Sequence, residues 1–429
     1  MARLARPYYG WLIAGALAIT ETVSWGIVYY SFSVFLVPME TELGATRAQL
    51  SIAFSLALLL SGAAAIPVGW WLDRHGGRAL MTAGSLAAAG LVWAWSRAES
   101  LAGLYLIFAG LGLTMAAVLY DPAFAVLTAW FSRRRRRALT LLTLVAGLAS
   151  TIFVPLSTRL LGQLGWRSAL AVLAATLLLI TVPLHALVLR RRPQDLGLAL
   201  DGDLIHQPSP GSPQPSIPRR PARAVLRSAP FWLLTTAFML SSGVSVAAGV
   251  HFIPYLLGQR HTAAFAAGLA GLIGLMQLPG RLLYDPLGQR VPRRWLTAGS
   301  LLLQGGALLL LFGTPGATRL VAFVIFFGMA NGVLTLARAT GVADLFGPAH
   351  YGSLSGVMAF WITLARAAGP SAVALLYAAA GQRYEWALLL MAGVMAFAAL
   401  AYLAAEHAGQ RQPLLIVRGQ TVRAGDSLD

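Results

Sequence analysis

Cysteine and lysine do not occur in the 429 residues, and Asp and Glu together supply only 15 side chains. Without cysteine there can be no disulfide, no thiolate nucleophile and no cysteine-ligated metal site. The seven histidines do not pair at a spacing that puts two imidazoles on one helix face, and no G-x-S-x-G elbow occurs. A metal centre, a cofactor and a nucleophilic enzyme are therefore not expected. Charge of either sign is scarce at 11%, about half of the roughly 25% typical of soluble domains. Strict alternation of apolar and polar residues, as in membrane barrels, is missing from stretches such as "SLALLLSGAAAIPVGWWL", so the class is helical.

What is abundant is apolar: 58% of the chain is hydrophobic. A hydrocarbon core of roughly 30 Å takes about 20 helical residues to cross. Runs of that length predict twelve spans, at 10–37, 48–72, 79–96, 101–130, 138–162, 167–189, 229–257, 263–288, 295–313, 318–343, 352–379 and 385–405. The first run is full length and no small-residue cleavage pattern follows a short core, so a cleavable signal peptide is not expected.

All 32 basic residues are arginines, and they are unevenly placed. With the N-terminus inside, 23 fall on the cytoplasmic side, seven outside, and two, Arg281 and Arg366, within spans. The positive-inside rule then puts both termini in the cytoplasm. The run Arg133 to Arg137 and the net charge of +17 are read as orientation and attraction to anionic lipid, not as a nucleic-acid surface.

The stretch 190–228 is rich in proline, serine and arginine and is expected to be a mobile cytoplasmic linker, with a short amphipathic piece near Ala222 to Arg227. It separates an N-terminal six-helix bundle, 1–189, from a C-terminal one, 229–410, followed by a cytoplasmic tail, 411–429. The halves look related. "TAGSL" occurs at Thr82 to Leu86 and again 215 residues later at Thr297 to Leu301, and the pairs Phe131/Phe346 and Pro155/Pro370 keep that offset. Such a tandem repeat fits two bundles related by an axis along the membrane normal.

Four ionisable residues lie well inside the expected spans: Glu21, Asp121, Arg281 and Arg366. A charge at mid-depth costs at least roughly 2.5 to 3.5 kcal/mol, so an arginine there needs a wet cavity or a partner. A guanidinium matches a carboxylate with two parallel hydrogen bonds, which makes Arg281 a candidate for binding a small organic anion. The competing reading is a structural pair in which Asp121, Glu21 or Asp285 neutralises Arg281 or Arg366. Gln277, one turn before Arg281, shares its face.

The loop "GWWLDRHGGR", Gly69 to Arg78, resembles the G-x-x-x-D-R-x-G-x-R signature of the major facilitator superfamily, in the position where that family carries it. A degraded copy, "DPLGQRVPRR", Asp285 to Arg294, has Gln289 in place of the acid and Pro292 in place of the glycine. The resemblance implies an all-α integral membrane fold of twelve transmembrane helices, a central cavity lined by spans one, four, seven and ten with help from eight and eleven, and a cytoplasmic gate at Asp73, Arg74 and Arg78.

The pair Gly280–Arg281 late in span eight, with Tyr120 in span four and His251 in span seven, resembles the monocarboxylate transporter branch and its bacterial relatives, including oxalate and formate exchangers. Animal members have an aspartate where Gln277 stands and a lysine where an ungapped alignment gives Tyr30, so their proton-coupling scheme does not carry over. Asp121 is the first choice for a proton carrier, Glu21 the second and His251 the third.

The resemblance implies a multi-pass carrier in a bacterial-type cytoplasmic (inner) membrane, working as a monomer. Its expected function is proton-coupled transport of a monocarboxylate such as lactate by alternating access, with Arg281, Tyr120, His251, Gln277, Arg366 and Tyr30 at the substrate. Two alternatives remain open. Arg281 and Arg366 could clamp a dicarboxylate in an oxalate-type exchanger, or Trp25, Tyr30, Phe360 and Trp361 could leave room for efflux of larger amphipathic compounds.

Overall fold

A computed structural model describes residues 8–202 and 221–411. The outer parts of the N-terminus and tail, and the middle of the expected linker, lie outside the described residues. Among those described, secondary structure is helical throughout.

Twelve helical passes follow in order. In the first half they are α1 (Tyr9–Leu43), α2 (Arg47–His75), α3 (Gly77–Trp95), α4 (Leu101–Trp130) and a run Arg135–Val188 that contains α5 (135–164) and α6 (166–188). In the second they are α7 (Ala229–Gly258), α8 (Ala263–Arg290), α9 (Arg293–Leu309), α10 (Ala317–Phe346), α11 (Tyr351–Ala379) and α12 (Glu385–Arg411). The fifth and sixth passes are one continuous run because the chain turns only at Gly165, with φ 74°. Eight helices in the described residues are long and apolar enough to cross a membrane by length and composition alone. Bare leucines such as Leu106, Leu179, Leu375 and Leu400, 65 to 75% exposed, form an outer surface suited to lipid, not water.

Local chemistry sets the breaks. Thr46 and Gln49 form a reciprocal capping box at the start of α2, satisfying two of the helix's orphan donors. The signature loop proves far tighter than the gap expected between spans two and three. Helix runs to His75, reverses at Gly76 with φ 77° and resumes at Gly77, a reversal whose left-handed backbone favours glycine. In α4, Pro122 has no N–H to give the carbonyl of Val118 and would crowd it. The helix therefore opens at Leu119, in extended conformation, and restarts at Tyr120. That restart aims Tyr120 and Asp121 at the centre of the molecule. A π-helical stretch interrupts α1 at Trp25–Tyr30, another irregularity of the kind found at functional sites.

The halves meet mainly along α2 against α11, with α4 also against α11 and α5 against α8 and α10. The "TAGSL" repeats sit on α3 and α9, the third helix of each half.

The linker departs from the sequence reading over its first third. Arg191 donates to the carbonyl of Arg74, and Trp130 Nε1 donates to the carbonyl of Arg190 at 3.0 Å. Asp201, only 3% exposed, accepts from the backbone N–H groups of Ser132, Arg133 and Arg134 at 3.1, 2.8 and 3.1 Å. Three amide dipoles on one carboxylate anchor the stretch to the turn before α5. After residue 220, Ala222–Leu226 forms the expected short helix.

Candidate functional site

A cavity of about 570 Å³ lies between the halves. It draws its walls from α1, α2, α4, α5, α7, α8, α10 and α11, with no residue from α3, α6, α9 or α12. Compared with the expected lining, α2 and α5 are added.

Arg281 reaches the cavity from α8 and is 6% exposed. Its Nη1 donates to the carbonyl of Thr143 on α5 at 2.6 Å, across the halves, and its Nη2 donates to Gln277 Oε1 at 3.0 Å. The approach to Thr143 depends on Gly147, since a Cβ there would lie 2.6 Å from Nη1. Nε is buried and has no partner. Both acceptors are neutral, so the positive charge is oriented but not cancelled.

The acids that could have cancelled it are otherwise disposed. Asp121 lines the cavity but pairs with Arg338 of α10, Oδ1 to Nη2, at 3.1 Å. Asp285 faces Arg136 and Arg137 at 3.5 and 3.6 Å. Glu21 is fully buried outside the cavity lining, and neither of its oxygens has a hydrogen bond. Arg366, on α11, is open to the cavity. Among the described residues, neither Arg281 nor Arg366 has a carboxylate at ion-pair distance. The titratable lining thus holds three arginines against one aspartate, an excess of two positive charges within low-dielectric walls.

Tyr30, Tyr120 and Gln277 also line the cavity. His251 does not. Its Nδ1 meets Tyr384 Oη at 3.2 Å and its Nε2 meets the carbonyl of Pro370 at 2.9 Å, so both ring nitrogens are used in tying α7 to α11. Phe360 and Trp361 are likewise outside the lining, whereas Trp25 is part of it.

Of the three gate residues expected, Asp73 bridges the halves. Its carboxylate accepts from the N–H groups of Gly352 and Ser353 in the first turn of α11, each at 2.7 Å, and from the Ser353 hydroxyl, where the helix dipole favours an anion. Arg78 stays within its own half, donating to the carbonyl of Ala186 at 2.8 Å. Arg74 contributes its carbonyl to the linker contact.

Sequence reasoning missed further bridges. Arg135 lies 3.7 Å from Asp344, which also binds Arg293, and Arg136 and Arg137 face Asp285. Part of the arginine run therefore pairs with acids of the other half. Arg338 was missed as well, although Asn331, Thr335 and Arg338 make an i, i+4, i+7 stripe on α10, and all three line the cavity.

Comparison with known proteins agrees with this architecture. Two overlapping segments, residues 17–276 and 252–419, match the Major Facilitator Superfamily. The chain is 30% identical over 345 residues to monocarboxylate transporter 13 of Bos taurus, covering 79% of this chain and 76% of that one. It is 30% identical over 364 residues to monocarboxylate transporter 11 of Mus musculus, covering 82% and 74%. Among solved structures, the transporter FucP in the outward conformation superposes with a TM-score of 0.68 at 18% identity, over 93% of this chain and 99% of that one. The chain is a multi-pass membrane transporter that belongs to the major facilitator superfamily, in its monocarboxylate transporter branch.

Proposed function

We propose that this transporter carries small monocarboxylate anions, with lactate as the reference substrate, by proton-linked alternating access. The observation that carries the reading is Arg281, buried at the cavity wall with neutral acceptors only. A guanidinium so held keeps its charge for a carboxylate and is already oriented, which lowers the cost of binding. The names of the relatives point the same way.

The two six-helix halves rock about the cavity. The contacts of Asp73 with α11, Arg135 with Asp344, and Arg136 with Asp285 hold one end closed and part when it opens. Each hydrogen bond to the charged Asp73 contributes about 1.5 to 3 kcal/mol, so the end opens when the anion binds the open state better by a comparable amount. In this reading that end and both termini face the cytoplasm of a bacterial-type inner membrane whose anionic lipids meet the remaining arginines, with a single chain as the working unit; the arginine asymmetry supports the sidedness.

The proton travels on a carboxylate at the cavity. Asp121 is the first candidate, since its protonation frees Arg338 for the incoming anion and so links the two fluxes. Glu21, one turn from Trp25 of the cavity wall and with both oxygens unpartnered, is the second. One observation favours a further substrate reading. Arg366 is a second uncompensated guanidinium on the cavity, and together with Arg281 it would hold both ends of an oxalate-type dicarboxylate.

Uptake of radiolabelled lactate, oxalate and formate into proteoliposomes, with and without a pH gradient, tests these assignments. Arg281→Ala is expected to abolish uptake at an unchanged level of membrane-inserted protein. Uptake retained by that variant removes Arg281 from the site.

A further inference from the structure

The cavity carries a second feature that a three-carbon acid does not use. Trp25, Tyr29 and Tyr30 of α1 and Tyr120 of α4 all line it, and their rings form one continuous wall. Trp25 lies 5.0 Å from Tyr29, 6.2 Å from Tyr30 and 5.1 Å from Tyr120, centroid to centroid, while Tyr29 and Tyr30 are 5.2 Å apart. These separations fall within the range of favourable ring packing. Tyr120 is backed by Phe124, stacked at 5.2 Å and 6°, which fixes its plane.

Local backbone irregularity presents the wall. The π-helical turn at Trp25–Tyr30 brings two consecutive tyrosines to one cavity, and the opening at Leu119 turns Tyr120 toward them. π-Helical turns of this kind recur at functional sites.

Most polar ends of these rings are unclaimed. Trp25 Nε1 is buried beside the Glu21 carboxylate without meeting hydrogen-bond geometry, the phenol groups of Tyr29 and Tyr30 make no hydrogen bond among the described residues, and that of Tyr120 lies within hydrogen-bonding reach of Arg281. Buried indole and phenol groups ordinarily find partners, so a wall of them left mostly free is suited to a ligand. Tyr30 and Tyr120 both lie within electrostatic reach of Arg281, which sets the wall beside the carboxylate-binding group. A volume of about 570 Å³ also falls in the roughly 300 to 1,000 Å³ range that holds ligands of many more atoms than lactate.

We infer that the preferred substrates are aryl carboxylates, with the carboxylate on Arg281 and the aromatic ring against the Trp25, Tyr30 and Tyr120 wall. This rests on the carboxylate reading above and narrows it. Ring contact is added to the ion pair, and edge donors from Trp25 and the tyrosines meet polar substituents on the acid.

The test is isothermal titration of the full chain in lipid nanodiscs with phenylacetate, phenylpyruvate, cyclohexylacetate, lactate and benzyl alcohol. The two aryl acids are expected to bind at least tenfold more tightly than lactate and at least threefold more tightly than cyclohexylacetate, with no heat from benzyl alcohol. Trp25→Leu and Tyr120→Leu should each lower the aryl-to-lactate affinity ratio fivefold or more. The wild-type panel decides the matter even if a variant fails to fold. Lactate equal to phenylacetate, with both lost in Arg281→Ala, overturns the aryl preference and leaves the carboxylate function standing. Cyclohexylacetate equal to phenylacetate overturns it too, because the wall would then be merely apolar. Binding by none of the acids overturns the carboxylate function itself.

Discussion

Asp121 and Arg338 meet at 3.1 Å, a carboxylate of the fourth helix against a guanidinium of the tenth, at the edge of the central cavity. The pair joins the two halves and is only partly screened, with side-chain exposures of 34% and 16%. Removing one partner leaves the other uncompensated, whereas removing both leaves two neutral amides that hydrogen-bond.

Asp121→Asn and Arg338→Gln are therefore expected to lower the melting temperature in nanodiscs individually, and the double variant to recover part of the loss. Partners in direct contact show coupling energies of about 0.5 to 3 kcal/mol, and partial exposure places this pair toward the lower end. Strictly additive losses in the cycle would show that the ion pair contributes nothing.

The gate invites a steric test. A Cβ on Gly69 would lie 2.1 Å from the carbonyl oxygen of Gly352, an overlap that only separation of α2 from α11 relieves. Gly352 and Ser353 are the residues that donate to Asp73, so Gly69→Ala should weaken that contact as well. Because the chain has no cysteine, a single Ser355→Cys reporter needs no other replacement. Ser355 is 8% exposed. An impermeant thiol reagent added on the arginine-rich side should label it slowly in the parent and at least fivefold faster with Gly69→Ala; equal rates would exclude α2 and α11 as the closing surface.

The number and order of helices were legible because a hydrocarbon core imposes a run length that composition alone reveals. The span Leu101–Trp130 was placed to the residue, and the signature turn was found through its glycines. Partners were not legible. Nothing local marks His251 as bound to Tyr384 and Pro370, 133 and 119 residues away, and the resemblance to monocarboxylate transporters implied a cavity residue instead. Arg338 was counted with the cytoplasmic arginines because charge asymmetry says which side a residue is nearer, not how far inward its side chain reaches. The arginine run fitted the lipid reading equally well until its acids, Asp285 and Asp344, were seen opposite it.

The anchored part of the linker gives a prediction away from the cavity. Asp201 takes the N–H groups of Ser132, Arg133 and Arg134, directly before the arginines that face Asp344 and Asp285. Asp201→Ala removes all three acceptor contacts, each a charge-assisted bond. Amide exchange at residues 132–134 should rise by about tenfold or more, since local opening reports the stability of the contacts that close it. Transport should change less than in Arg281→Ala. Unchanged exchange would show that the turn before α5 is ordered without the linker.

The last prediction concerns how Arg281 is aimed. Gly147 caps the first segment of α5 with an ordinary helical φ of −62°, so alanine there incurs no left-handed backbone strain and, by restricting the unfolded chain, stabilises by about 0.4 to 1 kcal/mol. Its methyl would nonetheless lie 2.6 Å from Arg281 Nη1 and 3.0 Å from the carbonyl of Thr143. The guanidinium must then swing off the carbonyl that orients it. Gly147→Ala is therefore expected to keep or raise the melting temperature while weakening carboxylate binding about tenfold, the scale of one oriented hydrogen bond to a charged group. A structural role for Gly147 in helix packing predicts the reverse pattern, a lower melting temperature with binding per folded molecule unchanged. Measuring both quantities on the same preparation separates the two, and a stable variant with full carboxylate affinity would show that the hold of Thr143 on Arg281 does not prepare it for the anion.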